Sequence, residues 1–207
     1  MSENKRLEWE EYKALANRTV ANVSKDYFTH SIVGFTTEGL EFFTASSMKN
    51  AIEEIGDFIW YVAMLSNRVR REFPFVITDE TLKNEFIPRY DIDSLVYTFL
   101  FNKENRDLSV SSSQSFLRAI GLLADQTKRV TFYGAKINER VVENNLSICL
   151  IFISNFVSSN NLDIRSIMFD NIEKLKKRFP EKFTQKDALN RDVEHELSHI
   201  EDDTTRL

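Results

Sequence analysis

Residues 53–65 read EEIGDFIWYVAML: three acidic side chains, Glu53, Glu54 and Asp57, stand at the head of an apolar, aromatic run. Ile52, Ile55, Ile59, Val62 and Leu65 recur with the period of a helix that has one buried face. Glu54 and Asp57 therefore lie in or beside the buried region, where a carboxylate needs a partner of opposite charge. The periodicity predicts a helix over residues 50–71, with Asn50 as its N-cap candidate and Pro74 barring its continuation.

Outward from that stretch the chain keeps the same character. Five glycines and three prolines in 207 residues leave few sites for tight hairpins, while Leu, Glu, Lys, Asn and Phe recur at helical spacing, so an all-α fold is expected. Further helices are predicted over residues 7–23, 30–45, 81–86, 92–101, 113–130, 138–157 and 163–178, followed by a polar peripheral helix with a frayed end. The length suits one domain, residues 1–207. Its parts are read as a half carrying the acids (1–89), a second helix-pair half with a basic helix (90–180) and a polar tail (181–207).

A net charge of −5, with Lys interleaved among Glu, argues against a nucleic-acid binder working by bulk attraction. The single cysteine, Cys149 in ICLIFI, excludes a disulfide framework or a cysteine metal site within the chain. The N-terminus is charged, and no uninterrupted apolar run is long enough for a bilayer, so a cytoplasmic protein without membrane partners is expected.

Glu38 and Glu41 are three residues apart, as are Glu54 and Asp57. On a helix that spacing sets two side chains about 60° apart around the axis and about 4.5 Å apart along it, so each pair forms a pincer on one face. The twelve residues between Glu41 and Glu54 let the first helix finish, turn and return antiparallel, bringing the pincers face to face. Four converging carboxylates repel one another unless a divalent cation sits among them. Oxygen ligands alone favour Mg²⁺, with Mn²⁺ as a substitute, over Zn²⁺. Each pincer taken alone is what a solvated helix face also looks like; the paired spacing beside an aromatic run is what singles it out.

Glu-x-x-Glu followed by Glu-x-x-Asp within EEIGDFIWYVA, opened by HSIVGFTTEGLE, resembles the metal-binding signature of the MazG-like all-α nucleoside triphosphate pyrophosphohydrolases, the group that includes the dimeric dUTPases and dCTP pyrophosphatases. The usual Glu-Ala-Gly-Glu is Glu38-Gly39-Leu40-Glu41 here, and NIEKLKKRFPEKFTQKDALNRD at 171–192 resembles the closing segment of those proteins. The resemblance implies a helical bundle that hydrolyses a (d)NTP to the monophosphate and pyrophosphate, with Glu38, Glu41, Glu54 and Asp57 as Mg²⁺ ligands. It implies a homodimer, and it assigns Asn171, Lys174 and Arg178 to the substrate, the two cations to its phosphates. His30 matches a His often found at that place in the family, although a lone helical His is more often a surface or satisfied core residue. Tyr61, one turn past Asp57, is placed to reach the nucleotide, and Trp60 reads as core. Glu53, about 100° around the helix from Glu54, either orients water or faces solvent. For Lys174 and Arg178 the plain alternative is a basic helix C-terminus favoured by its own dipole.

The two halves also resemble each other. GFTTEGLE from Gly34 aligns with GLLADQTK from Gly121, and IEEIGDFIWYVAML from Ile52 with VENNLSICLIFIS from Val142. On that alignment the second copy holds Asp125, Lys128, Asn144 and Ser147 at the four ligand positions, so three of the four carboxylates are missing there. Two degenerate helix pairs, one site per chain, are expected, packed as a four-helix bundle. The rival readings are a helical interaction protein that has lost turnover, and a related hydrolase of another phosphoanhydride such as phosphoribosyl-ATP.

Overall fold

The computed structural model describes residues 6–20, 27–72, 92–101 and 113–180, with residues 184, 186, 189, 190, 192 and 196 beyond them. Every regular element among these residues is helical: α1 (Trp9–Ala16) closed by a 3-10 turn (Asn17–Thr19), α2 (Tyr27–Phe43), α3 (Met48–Glu72), α4 (Ile92–Val96) running into a π-helical turn (Tyr97–Phe101), α5 (Ser113–Tyr133), α6 (Glu139–Ser159) and α7 (Ile164–Arg178). The fold is all-α, as the composition indicates. The segment expected at 81–86, Pro74 and most of the C-terminal helix lie outside the described residues.

Side-chain caps fix where the helices begin. Asn138 accepts the Val141 amide at 3.2 Å ahead of α6, and Asp163 accepts the Arg165 amide at 3.2 Å ahead of α7. At α3 the expectation needs correcting, because Ser47 and not Asn50 is the cap. Ser47 Oγ accepts the Asn50 amide at 3.1 Å, and Asn50 Oδ1 accepts the Ser46 amide at 3.4 Å. These two bonds put Asn50 inside the first turn, where its Nδ2 donates to Glu54 Oε1 at 2.7 Å. Helix α5 outlasts its expected end and stops at Gly134, whose φ of 64° lies in the left-handed region.

Helices α2 and α3 form an antiparallel hairpin, since contacts that climb one helix descend the other: His30 and Gly34 meet Tyr61, and Phe35 meets Phe58. Gly34 sets the closeness of that crossing. A Cβ there would lie 2.1 Å from Tyr61 Cε1. Helices α5 and α6 make the second hairpin across the short link at 134–138, and α2 packs against α5, with the Thr29 and Thr131 hydroxyls 2.8 Å apart. At the other end Phe42 inserts between the hairpins, its ring 4.9 Å from Phe156 and 6.2 Å from both Phe116 and Phe152. Each buried aromatic of this kind contributes about 1.5–3 kcal/mol by leaving water, and edge-to-face geometry adds about 0.5–1.5 kcal/mol.

Burial corrects the alignment of the two hairpins by one position. The buried Ile32 and Phe35 of α2 correspond to the buried Ile120 and Leu123 of α5, while the alignment read from sequence pairs Phe35 with the exposed Leu122. In the second helix of each hairpin, Ile55, Phe58, Ile59 and Val62 correspond to Leu146, Cys149, Leu150 and Ile153, all buried. The same shift moves the counterpart of Glu38 from Asp125 to Gln126, and that of Glu54 from Asn144 to Asn145. Gln126 and Asn145 are both buried, whereas Asp125 and Lys128 pair with each other at 2.5 Å on an exposed face. The second hairpin thus carries buried uncharged amides where the first carries Glu38 and Glu54, and these amides donate to the Lys136 and Val141 carbonyls.

Helix α6 is long and apolar enough to cross a membrane by length and composition, although its longest unbroken apolar run is short. In this fold Val142, Leu146, Cys149, Leu150 and Ile153 of that helix belong to the shared core.

Helices α1 and α7 cover α3 on its other side. A buried polar node ties α1, α3 and α4 together: Asp93 accepts from Trp9 Nε1 at 2.7 Å, Lys13 Nζ at 2.8 Å and Ser66 Oγ at 2.5 Å. Burial pushes the Asp93 carboxyl up, but the hydrogen bonds from Lys13, Ser66 and Trp9 outweigh it and hold Asp93 below the usual carboxylate range.

Candidate metal centre

The α2–α3 hairpin brings three of the four expected ligands together. One carboxylate oxygen from each of Glu38, Glu41 and Glu54 lies within 4.8 Å of the others. Glu41 is exposed, Glu38 is half-buried and Glu54 is buried, so the cluster opens to solvent at the Glu41 side. Glu54 is held by Asn50, one turn earlier on α3.

These acids crowd each other. Burial, followed by the charges of Asp57, Glu41 and Glu54, pushes the Glu38 carboxyl up to about 8. Burial, followed by Glu53, Asp57 and Glu41, pushes Glu54 up to about 7. Lys174 acts in the opposite direction on both and is outweighed. The cluster is short of positive charge even with that cation beside it.

Asp57 departs from the expected arrangement. It is not one of the three converging carboxylates; its Oδ1 accepts Asn171 Nδ2 at 2.7 Å, and its Oδ2 accepts Lys174 Nζ in a short hydrogen bond. Lys174 is 1% exposed and also donates to Glu53 Oε1 at 3.3 Å. Glu53 therefore faces α7 rather than solvent. Asn171 and Lys174, which the resemblance assigns to the substrate, here hold acids of α3. Gly56 eases the contact: a Cβ there would stand 3.0 Å from Asn171 Cβ, close enough to push it back by a few tenths of an ångström.

His30, Tyr61 and Arg178 lie beyond the Glu38 end. The His30 and Tyr61 rings meet edge to face with centroids 5.6 Å apart. Burial lowers the His30 pKa, which favours the neutral imidazole, and its buried Nδ1 has no hydrogen-bond partner among the described residues. Burial, then Glu38 and Asp57, raises the Tyr61 phenol, with Arg178 acting against them. Arg178 Nε lies 3.8 Å from a carboxylate oxygen of the buried Glu196. Trp60 packs against the core edge and donates to Thr19 Oγ1 at 3.0 Å.

The donor set fits a hard divalent cation: three carboxylates from two rigid helices, no imidazole or thiolate among them, and an unmet demand for positive charge. A small cavity between α1 and α7, bordered by Leu15, Arg18, Ile172 and Leu175, involves none of these acids. Compared with known proteins, the chain matches no family model, no curated protein and no solved structure.

Two parts of the centre escaped sequence reasoning. Asn50 was legible only as a helix cap, and its hold on Glu54 follows from the true start of α3. Tyr12, fully buried in α1, donates to Asn171 Oδ1 at 2.8 Å. In EWEEYKAL it shows only helical spacing from Trp9, which is the signature of any core position.

Proposed function

We propose that the protein is a Mg²⁺-dependent nucleoside triphosphate pyrophosphohydrolase of the MazG-like kind, converting a (d)NTP to the monophosphate and pyrophosphate. The observation that supports this most is the convergence of Glu38, Glu41 and Glu54 within 4.8 Å from the two helices to which the sequence signature assigns them.

In this reading the three glutamates are the cation ligands, and Asp57 adds a fourth negative charge at the edge while α7 holds it in place. When bound, Mg²⁺ neutralises phosphate charge and lowers the pKa of a coordinated water. Lys174 and Asn171 keep Asp57 and Glu53 in place rather than touching phosphate. Arg178 supplies a guanidinium fork suited to phosphate oxygens, beside the His30–Tyr61 wall. By the same resemblance the protein acts as a homodimer.

The scaffold alternative draws on one observation, that Lys174 already answers two of the acids within the chain. Pyrophosphate release from the eight common nucleotides and phosphoribosyl-ATP, with and without Mg²⁺, separates the readings. The expected result is Mg²⁺-dependent release from at least one nucleoside triphosphate that disappears in Glu54→Gln; no release from any of them contradicts the proposal.

A further inference from the structure

Tyr12 lies on α1, away from every acid of the cluster in sequence, yet two hydrogen bonds join it to Asp57 at the edge of the cluster. Its ring is fully buried, and its hydroxyl sits 2.8 Å from Asn171 Oδ1 and 3.4 Å from the Gly56 carbonyl. An asparagine amide has one accepting and one donating end. With Oδ1 committed to the Tyr12 hydroxyl, Nδ2 is turned to Asp57 Oδ1 at 2.7 Å. Were the amide reversed, its oxygen would face the Asp57 carboxylate and its NH₂ group would face Gly56 and Tyr12. The phenol is a fixed donor: burial first, and then the Asp57 charge, hold its proton on.

We infer that Tyr12 is a positioning residue for the metal centre, acting through the chain Tyr12 hydroxyl to Asn171 amide to Asp57 carboxylate. The relay crosses three helices, α1, α7 and α3, and locks one amide orientation. Lys174 donates to the other oxygen of Asp57 and to Glu53, so the amide is what fixes the Oδ1 side of Asp57. The missing Cβ at Gly56 leaves Asn171 room to lie against α3 while it does so. The inference rests on the proposal that Glu38, Glu41 and Glu54 bind a divalent cation, and it adds that a hydroxyl from another helix sets how well they do so.

The test is Mn²⁺ affinity, read by electron paramagnetic resonance on the full chain, for wild type, Tyr12→Phe, Asn171→Ala and the double variant. Partners that bond a metal ligand directly are typically worth 10–100-fold in affinity; Asp57 stands beside the three ligands rather than among them, so Tyr12→Phe is expected to weaken Mn²⁺ binding by less, about 3-fold. Asn171→Ala is expected to do at least as much, and the double variant no more than Asn171→Ala alone, because the hydroxyl acts only through that amide. A merely structural Tyr12 would give unchanged affinity in folded Tyr12→Phe, or losses that add in the double variant, and either result overturns the inference. If Tyr12→Phe fails to fold, Asn171→Ala, which leaves the Tyr12 ring in place, decides alone: wild-type affinity overturns the relay. Absence of Mn²⁺ binding by wild type is a different failure, removing the metal centre and the relay with it.

Discussion

Asn171 of α7 donates from Nδ2 to Asp57 Oδ1 of α3 at 2.7 Å, and one turn further along α7 the buried Lys174 donates to the other oxygen of the same carboxylate. The positive charge that the acids at the head of α3 require is thus partly built into the chain. It reaches Asp57 and Glu53 but leaves Glu38 and Glu54 shifted upward by burial and then by their neighbours. Lys174→Met, which removes the charge and keeps much of the side-chain volume, is expected to destabilise the fold by about 3–5 kcal/mol, the usual consequence of stranding buried partners. Adding Asp57→Asn should recover part of that loss. Urea unfolding measures both, and a cost under about 1 kcal/mol for Lys174→Met would mark the pair as a weakly coupled surface contact.

Stability of the metal-free protein should depend on pH in an unusual direction. Glu38 and Glu54 titrate at about 8 and about 7 in the fold, against an ordinary 4.5. A carboxyl raised by folding gives its full stabilisation below the unfolded pKa and loses it as pH rises through the folded one. Melting temperature in the presence of a chelator is therefore expected to fall as pH rises from 4.5 through about 8, as far as these two groups govern it. Saturating Mg²⁺ should remove most of that fall, and Glu54→Gln should reduce it without metal. A chelated protein that grows more stable over the same range contradicts the crowding of these acids.

The shifted alignment of the hairpins makes neighbouring asparagines unequal. Asn145 is buried in the position corresponding to Glu54, and Asn144 is exposed. Asn145→Asp should cost about 1–3 kcal/mol at neutral pH by burying a carboxylate in place of a hydrogen-bonded amide, while Asn144→Asp should stay within about 0.5 kcal/mol. Equal costs would restore the alignment read from sequence alone.

How much of this was legible beforehand follows from which signals are local. Helical periodicity identified α2, α3, α5, α6 and α7, because the spacing of Ile52, Ile55, Ile59 and Val62 depends only on which face is buried. The convergence of Glu38, Glu41 and Glu54 followed from i,i+3 spacing and a hairpin of the right length. The direction of Asp57 did not, because it is set by Asn171 and Lys174, far along the chain and brought close by α7 packing against α3. Tyr12 was invisible for the same reason. The one-position slip between the halves arose because Gly34 and Gly121 align by identity, although Gly34 is buried under Tyr61 and Gly121 is exposed.

The node at Asp93 should govern acid stability apart from the metal centre. Its carboxyl is held below the usual range, so its stabilisation is present above the unfolded pKa and is lost as pH falls through the folded one. Lys13→Met removes the cation beside the buried Asp93 and is expected to cost about 3–5 kcal/mol near neutral pH. Lys13→Met and wild type should then converge as the solution is acidified. Parallel acid-unfolding curves, equally separated at every pH, would contradict the coupling.

The most direct measurement is anomalous diffraction from crystals of the wild-type protein grown with Mn²⁺. The expected result is a peak within oxygen-coordination distance of Glu38, Glu41 and Glu54 at once, with Asp57 still turned toward Asn171 and Lys174. A map with no peak between those three side chains, or carboxylates splayed away from one another into solvent, would contradict the metal centre on which the proposed activity rests.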